Sequence, residues 1–354
     1  MRAAGRLVHV DAPVGFLYDP VFLDHDTGEH VENGARMTAT MALLEESGLL
    51  ARVRRLAAPA ASEDDLALVH GRRYVEAVRR AAQAGGGWAD PDTLITPRSY
   101  DVAARVVGGT LAALDAVLAR DVESAFCLVR PPGHHATPVQ AMGFCLFNHV
   151  AIAAAHVRQR RGVERVAIVD IDVHHGNGTQ DAFYGDPSVL YVSTHEYPFY
   201  PGSGAATEAG VGAGQGFTIN VPLPAGCGDT AYARVFDEVV LPALRRFRPG
   251  LLLVSAGFDA HFADPLADER LSVDGYGALA GRLIVAAREL CGGRLLLALE
   301  GGYDLVALPW CVRRCVELLL GDEPAPDPLG AGPPSRPPSD LDNLLAQVRR
   351  LHAL

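Results

Sequence analysis

The chain has no lysine: all 31 formal positive charges among its 354 residues are arginine. Pyridoxal and other Schiff-base enzymes need a lysine amine, and P-loop NTPases and protein kinases need a lysine on the phosphates, so these classes are excluded. The six cysteines show no CxxC pair or regular spacing, and reduced, buried thiols in a cytoplasmic protein are expected. Leu7 to Val10 is too short an apolar stretch for a signal peptide, and no run reaches the roughly 18 apolar residues of a membrane span.

What is present is globular in character: 49% hydrophobic, 21% charged and 7% aromatic residues, enough to bury a sizeable core. A net charge of −11 and a pI of about 5.6 argue against a general affinity for nucleic acid or anionic membrane and favour a cationic partner.

Short β-rich apolar runs alternate with longer helical patterns, which predicts a parallel sheet covered on both faces by helices. Strands are expected at Ala125 to Val129, Val166 to Ile171, Val189 to Ser193, Leu251 to Ala256 and Leu295 to Leu299. Helices are expected at about 100–119, 146–160, 230–247 and 273–290, with two or three more between Glu45 and Gln83. Residues 1–320 read as one catalytic domain and the Pro/Gly-rich stretch 321–338 as a linker. Residues 339–354 then read as a terminal helix, Ser339 its N-cap, with Leu341, Leu344, Leu345, Val348 and Leu351 on one face. Packing on the parent domain is the expected use of that face, a subunit contact in a homo-oligomer the alternative.

In open α/β sheets, ligands bind beyond the carboxyl ends of the strands, where the unusual residues here cluster. Asp172 and His174 lie two apart at one strand end and project to the same side, as two ligands of one metal ion would. Asp259, just past another strand, is the candidate third ligand; one imidazole and two carboxylates leave a zinc ion open to water and a substrate carbonyl. His134 and His135 follow Pro131-Pro132-Gly133 and suit general acid–base work, with Asp170 and Asn177 as candidates to orient them respectively. Tyr303 follows a pair of glycines that let its loop approach a ligand, and its hydroxyl is placed to donate to a developing oxyanion.

With these motifs, the chain resembles the histone deacetylase family, in its class II-like and bacterial amidohydrolase branch. RPPGHHA from Arg130, GFCLFN from Gly143, VDIDVHHGNGTQDAFY from Val169, FYPGSG from Phe199, AGFDAHFADPL from Ala256 and LEGGYD from Leu299 carry the resemblance, in order, between about His30 and Trp310. It implies an arginase-like α/β fold, three-layered, with a central, mainly parallel sheet of about eight strands, and zinc-dependent deacetylation. It makes Asp172, His174 and Asp259 the zinc ligands, His135 the general base and later acid, His134 an electrostatic assistant backed by Asp170, and Tyr303 the residue that polarises the acetyl carbonyl. Phe144 and Tyr200 match the walls of the family's acyl-lysine tunnel, and the Gly143 carbonyl the acceptor for the substrate N–H. An inner potassium or sodium site would use Asp170, Asp172, His174, Ser193 and Thr194. Three departures stand out: Asn177 where class I members carry Asp, His149 in place of a second Asn, and His30-Val-Glu-Asn-Gly-Ala-Arg36 as an approximation of HPExPxR.

Hydrolysis of acyl-lysine in peptides or proteins is therefore expected, with acetylated polyamine as the rival substrate. Leu266 occupies the place where polyamine-selective relatives carry Glu, which favours acyl-lysine, although Glu29, Glu32 and Asp92 offer acidity from entrance loops. A silent acetyl-lysine-binding module would lack Tyr303 or a ligand. A two-manganese ureohydrolase would need a further Asp two residues after Asp259; position 261 is histidine.

Overall fold

The computed structural model describes residues 13–333 and 340–354; Leu7 to Val10 and the Ser339 cap lie outside them. The strands are β1 (Gly15–Leu17), β2 (Arg54–Leu56), β3 (Gly87–Trp88), β4 (Leu94–Ile95), β5 (Ser124–Cys127), β6 (Val166–Asp170), β7 (Val189–Glu196), β8 (Thr218–Leu223), β9 (Leu251–Ala256) and β10 (Leu295–Leu299). The helices are α1 (Ala35–Glu46), α2 (Glu63–Leu66), α3 (Arg72–Gln83), α4 (Ser99–Leu118), α5 (His149–Arg160), α6 (Asn177–Phe183), α7 (Asp229–Val235), α8 (Leu241–Phe247), α9 (Val273–Cys291), α10 (Ala307–Leu319) and α11 (Leu341–His352).

Eight strands form one sheet in the order β2-β1-β5-β10-β9-β6-β7-β8, and every pairing within it is parallel. Apart from Asp170 in β6 and Ser255 in β9, the central strands are Val, Ile, Leu and Ala because both faces are covered: β6, β9 and β10 are buried at every position. Two apolar layers result. α1, α9 and α10 pack on one face, and α4 and α5 on the other. All six cysteines are free and buried in these layers or beside them.

The helix expected at 230–247 is a continuous helical run from Asp229 to Phe247, with a π-type stretch in its middle. Pro242 has no N–H to give to the carbonyl four residues back, and the chain between α7 and α8 widens into a turn of π type over Phe236–Val240. At the C-terminus, α11 presses Leu341, Leu345 and Val348 into the core next to β8, whereas Leu351, expected on the same face, is exposed. No described helix is long and apolar enough to cross a membrane.

The strand order decides which loops meet. β5, β10, β9, β6 and β7 are consecutive neighbours, so segments starting at Leu128, Glu300, Gly257, Ile171 and Tyr197 emerge side by side along one edge of the sheet.

Candidate active site

β6 and β9 run in register, with Asp170 beside Ser255, and their continuations bring Asp172, His174 and Asp259 together. His174 Nδ1 lies 3.2 Å from Asp172 Oδ1 and 3.1 Å from Asp259 Oδ2. The remaining carboxylate oxygens are held by backbone: Val173 N–H donates to Asp259 Oδ1 at 2.9 Å and Gly301 N–H to Asp172 Oδ2 at 2.8 Å. Only glycine fits at 301, where a Cβ would come within 2.1 Å of Asp259 Oδ2. The three side chains are buried and offer ligand atoms within 4.8 Å of one another, a donor set that fits a metal ion. Burial, followed by the charge of Asp172, pushes Asp259 up to about 6, while the paired carboxylates overcome burial and hold His174 up at about 10. Two buried carboxylates here demand a compensating positive charge.

The adjacent histidines have opposite electrostatics. Their rings are 4.0 Å apart. His134 Nδ1 faces Asp170 Oδ2 at 3.1 Å, and against the effect of burial Asp172 and Asp170 raise it to about 10. His135 Nδ1 meets the amide oxygen of Asn177 at 2.8 Å; burial, then the charges on His134 and His174, depresses its pKa well below the usual value. One ring is held as an imidazolium and the other neutral, the separation expected of an acid–base pair.

Of these groups, His135 and His174 line the floor of a cavity of about 230 Å³. Phe144, Phe199 and Tyr200 line its sides with Gly143, and Asp92, Leu266 and Tyr303 complete its lining. Phe199 stacks on His174 with ring centroids 5.4 Å apart, a wall residue that the motif pattern alone does not single out. Gly143 adopts φ +56°, and a Cβ there would lie 2.3 Å from the His135 ring. Its carbonyl accepts the Cys145 thiol at 3.2 Å. Tyr303 is held by its backbone N–H, which donates to Asp264 Oδ2 at 2.6 Å, and by the Arg36 guanidinium 4.8 Å from its ring centroid. Ser193 and Thr194 are fully buried beside Asp170, with Thr194 Oγ1 donating to the Asp170 carbonyl at 3.4 Å.

One expectation is overturned. Glu32 is not an entrance acid: it is 1% exposed and bridges Arg36 at 3.1 Å and Arg130 at 2.7 Å. Arg36 also donates to the carbonyls of Glu300 at 2.6 Å and Gly302 at 2.7 Å, so Glu32 secures the loop that carries Tyr303. A buried charge of this kind is tolerated because both partners are arginine forks.

Glu300 has no role assigned by its motif, yet it sits directly behind the histidines. Its Oε2 accepts the backbone N–H groups of Gly133 at 2.6 Å and His134 at 3.1 Å, and its Oε1 the Ser255 hydroxyl at 3.1 Å. Burial pushes it up to about 7. His149 Nε2 is 3.5 Å from the same carboxylate, and neither ring nitrogen of His149 has a hydrogen-bond partner among the described residues. His134, Cys145 and Glu300 form a second tight group of ligand-type atoms, but burial holds the Cys145 thiol far above its usual pKa and therefore protonated.

A parallel α/β sheet with a buried Asp-His-Asp group at its carboxyl edge, under a narrow apolar tunnel, defines the class: a hydrolase of the arginase and deacetylase fold. Comparison with known proteins narrows this. The histone deacetylase domain matches residues 30–319, and the chain belongs to the histone deacetylase family. It is 45% identical over 293 residues to the histone deacetylase-like amidohydrolase of Pseudomonas aeruginosa, covering 82% of this chain and 77% of that protein. It is 41% identical over 300 residues to a probable deacetylase of Archaeoglobus fulgidus, covering 84% and 83%. A crystal structure of an HDA15 HD domain superposes with a TM-score of 0.89 at 35% identity, covering 96% of this chain and 94% of that one. The protein is accordingly a deacetylase-type hydrolase acting on amide bonds.

Proposed function

We propose that the protein is a zinc-dependent amidohydrolase that removes acetyl groups from lysine side chains of peptides or proteins. The observation that carries this is that one tunnel is lined by His174 of the Asp172-His174-Asp259 group, by neutral His135 and by Tyr303.

A zinc ion held by Asp172, His174 and Asp259 would supply Lewis acidity to the amide carbonyl and to the attacking water. The chain's own groups supply the rest. His135 takes the water proton on Nε2, because its Nδ1–H is committed to Asn177 Oδ1, and returns that proton to the departing amine. His134, cationic against Asp170 and Asp172, stabilises negative charge on the reacting centre. Tyr303 donates its hydroxyl to the carbonyl oxygen as it becomes an oxyanion; its pKa, raised by burial, keeps the proton on. The Gly143 carbonyl accepts the scissile N–H, and Phe144 and Tyr200 exclude water along the lysine stem. Asp170, Asp172, His174, Ser193 and Thr194 would hold a potassium or sodium ion that braces the β6 and β7 ends.

The test is turnover by zinc-loaded enzyme on an acetyl-lysine peptide and on an acetylated polyamine. Hydrolysis of the peptide that vanishes on chelation and returns with zinc is expected. A preference for the polyamine would replace lysine as the substrate class, and binding without turnover would mean a silent acyl-lysine reader.

A further inference from the structure

Trp88 is one of two tryptophans in the chain and is 62% exposed. It stands on β3 at the end of an aromatic path that starts on the tunnel floor. The ring centroid of Tyr303 is 5.8 Å from that of Phe144, Phe144 is 4.7 Å from His30, and His30 is 6.3 Å from Trp88. The inner rings are accounted for by the apolar tunnel. Trp88 is not: an indole of this exposure contributes little to packing.

The hairpin that presents it is fixed to the tunnel wall. Ala89 N–H donates to the Thr93 carbonyl at 2.8 Å, and Asp90 Oδ1 accepts the N–H groups of Asp92 at 3.1 Å and Thr93 at 2.7 Å. Thr93 Oγ1 then accepts the N–H of Phe144 at 3.0 Å. Asp92 lines the cavity and takes the Thr93 hydroxyl on Oδ1 at 3.1 Å, Asp90 lies two residues from the indole, and neither carboxylate forms an ion pair with a described residue. Burial and then the proximity of Asp90 raise the pKa of Asp92, and both carboxylates act on Tyr200 in the tunnel wall. Across the mouth, Leu266 supplies no charge. An exposed indole face beside carboxylates that have neutral hydrogen-bond donors but no cationic partner among the described residues, at the opening of a tunnel, is complementary to a cation.

We propose that Trp88, with Asp90 and Asp92, is a specificity subsite that receives a second positively charged group of the substrate, an ammonium or guanidinium carried beyond the acylated amine. The inference rests on the proposed acyl-amine hydrolysis and narrows its substrate class. The second cation has two sources: a basic side chain flanking acetyl-lysine in a peptide, or the distal ammonium of an acetylated polyamine.

The experiment compares Trp88→Ala, Trp88→Phe and Asp90→Asn with the parent on four substrates. These are an acetyl-lysine peptide with a neighbouring arginine, the same peptide with alanine there, N-acetyl-1,4-diaminobutane and N-acetylbutylamine. Trp88→Ala is expected to raise KM about three- to tenfold for cation-bearing substrates only, with kcat and zinc content unchanged, and Trp88→Phe to recover most of the loss. The arginine peptide and the diamine report the two sources separately, and either one suffices. Equal changes on charged and neutral substrates, or none on either, would overturn the subsite. If the parent hydrolyses none of the four, the functional reading fails, and the subsite is decided by indole fluorescence. N-acetyl-1,4-diaminobutane should then quench emission in the parent more than in Trp88→Ala; equal quenching sinks it.

Discussion

The floor of the tunnel and its rim are built on opposite terms. On the floor the metal-facing carboxylates meet imidazoles: Asp172 and Asp259 share His174, and Asp170 faces His134. The rim gives Asp90 and Asp92 only N–H and hydroxyl donors and no counter-ion among the described residues, and leaves Trp88 in solvent. The floor is assembled from the ends of consecutive buried strands, whereas the hairpin at the rim has strands of two residues each. Compensated charge in a dry, rigid place serves chemistry, because nothing need reorganise when charge develops. Uncompensated charge at a wet edge serves recognition, where the missing partner arrives with the substrate.

This contrast orders the expected effects of mutation. Removing the metal group should cost most. Asp259→Ala leaves only Asp172 and His174 as ligands, and metal analysis should show loss of zinc together with loss of activity beyond ~10²-fold. Full zinc with normal turnover would take Asp259 out of the site.

Tyr303→Phe comes next. It removes a donor whose interaction is strongest in the transition state, so kcat should fall by ~10²–10³ (about 3–4 kcal/mol) while KM and zinc content change little. Steady-state kinetics that stay within about twofold of the parent would leave Tyr303 as a packing residue.

Glu300→Leu tests the support behind the floor. It strands the buried N–H groups of Gly133 and His134, at a cost of about 1–3 kcal/mol in denaturant unfolding, whereas Glu300→Gln keeps an acceptor oxygen and should cost less. Equal stability of the two variants would show that these bonds carry no weight.

Asn177→Asp should have a subtler outcome, visible only against pH. His135 must be neutral to accept a proton, and burial already depresses its pKa. A carboxylate at Oδ1 favours the imidazolium, so the acid limb of kcat/KM should move to higher pH by about one unit or more, with slower turnover in acid and little change above the limb. An unmoved limb would mean that the 2.8 Å contact is absent in the working enzyme. Smallest are the rim substitutions: Trp88→Ala should leave the unfolding free energy within about 0.5 kcal/mol of the parent, since the side chain is mostly in water.

Much of the fold is legible where burial is uniform. Leu251 to Ala256 and Leu295 to Leu299 are strands with the expected bounds, because runs of Leu, Val and Ala of that length fit a strand covered on both faces. β1 and β2 give no such signal, since three-residue strands carry too few side chains to show a period and exist only through pairing. The π-type widening before Pro242 is local and readable in principle: proline inside a helical pattern is the signal. Glu32 misleads for a different reason. Its partners, Arg36 and Arg130, are four and 98 residues away, and an acid in an apparent loop looks solvated until the fold supplies both guanidiniums.

The motif residues themselves dictate the chemistry available: carboxylates, imidazoles, a phenol and the glycines that let them approach, each written into a short run of sequence. Their spacing within a run even sets which side chains share a face, as with Asp172 and His174. Distances between runs are another matter. That Asp259 meets His174, that Asn177 lies behind His135, and that Glu300 holds the His134 backbone follow from a strand order in which neighbours in space are far apart along the chain. The same packing removes water, and with it the charge screening that would have left His134 and His135 alike. Two identical residues side by side in the chain acquire opposite protonation because desolvation and nearby charge are properties of three-dimensional surroundings, which no local stretch of sequence contains.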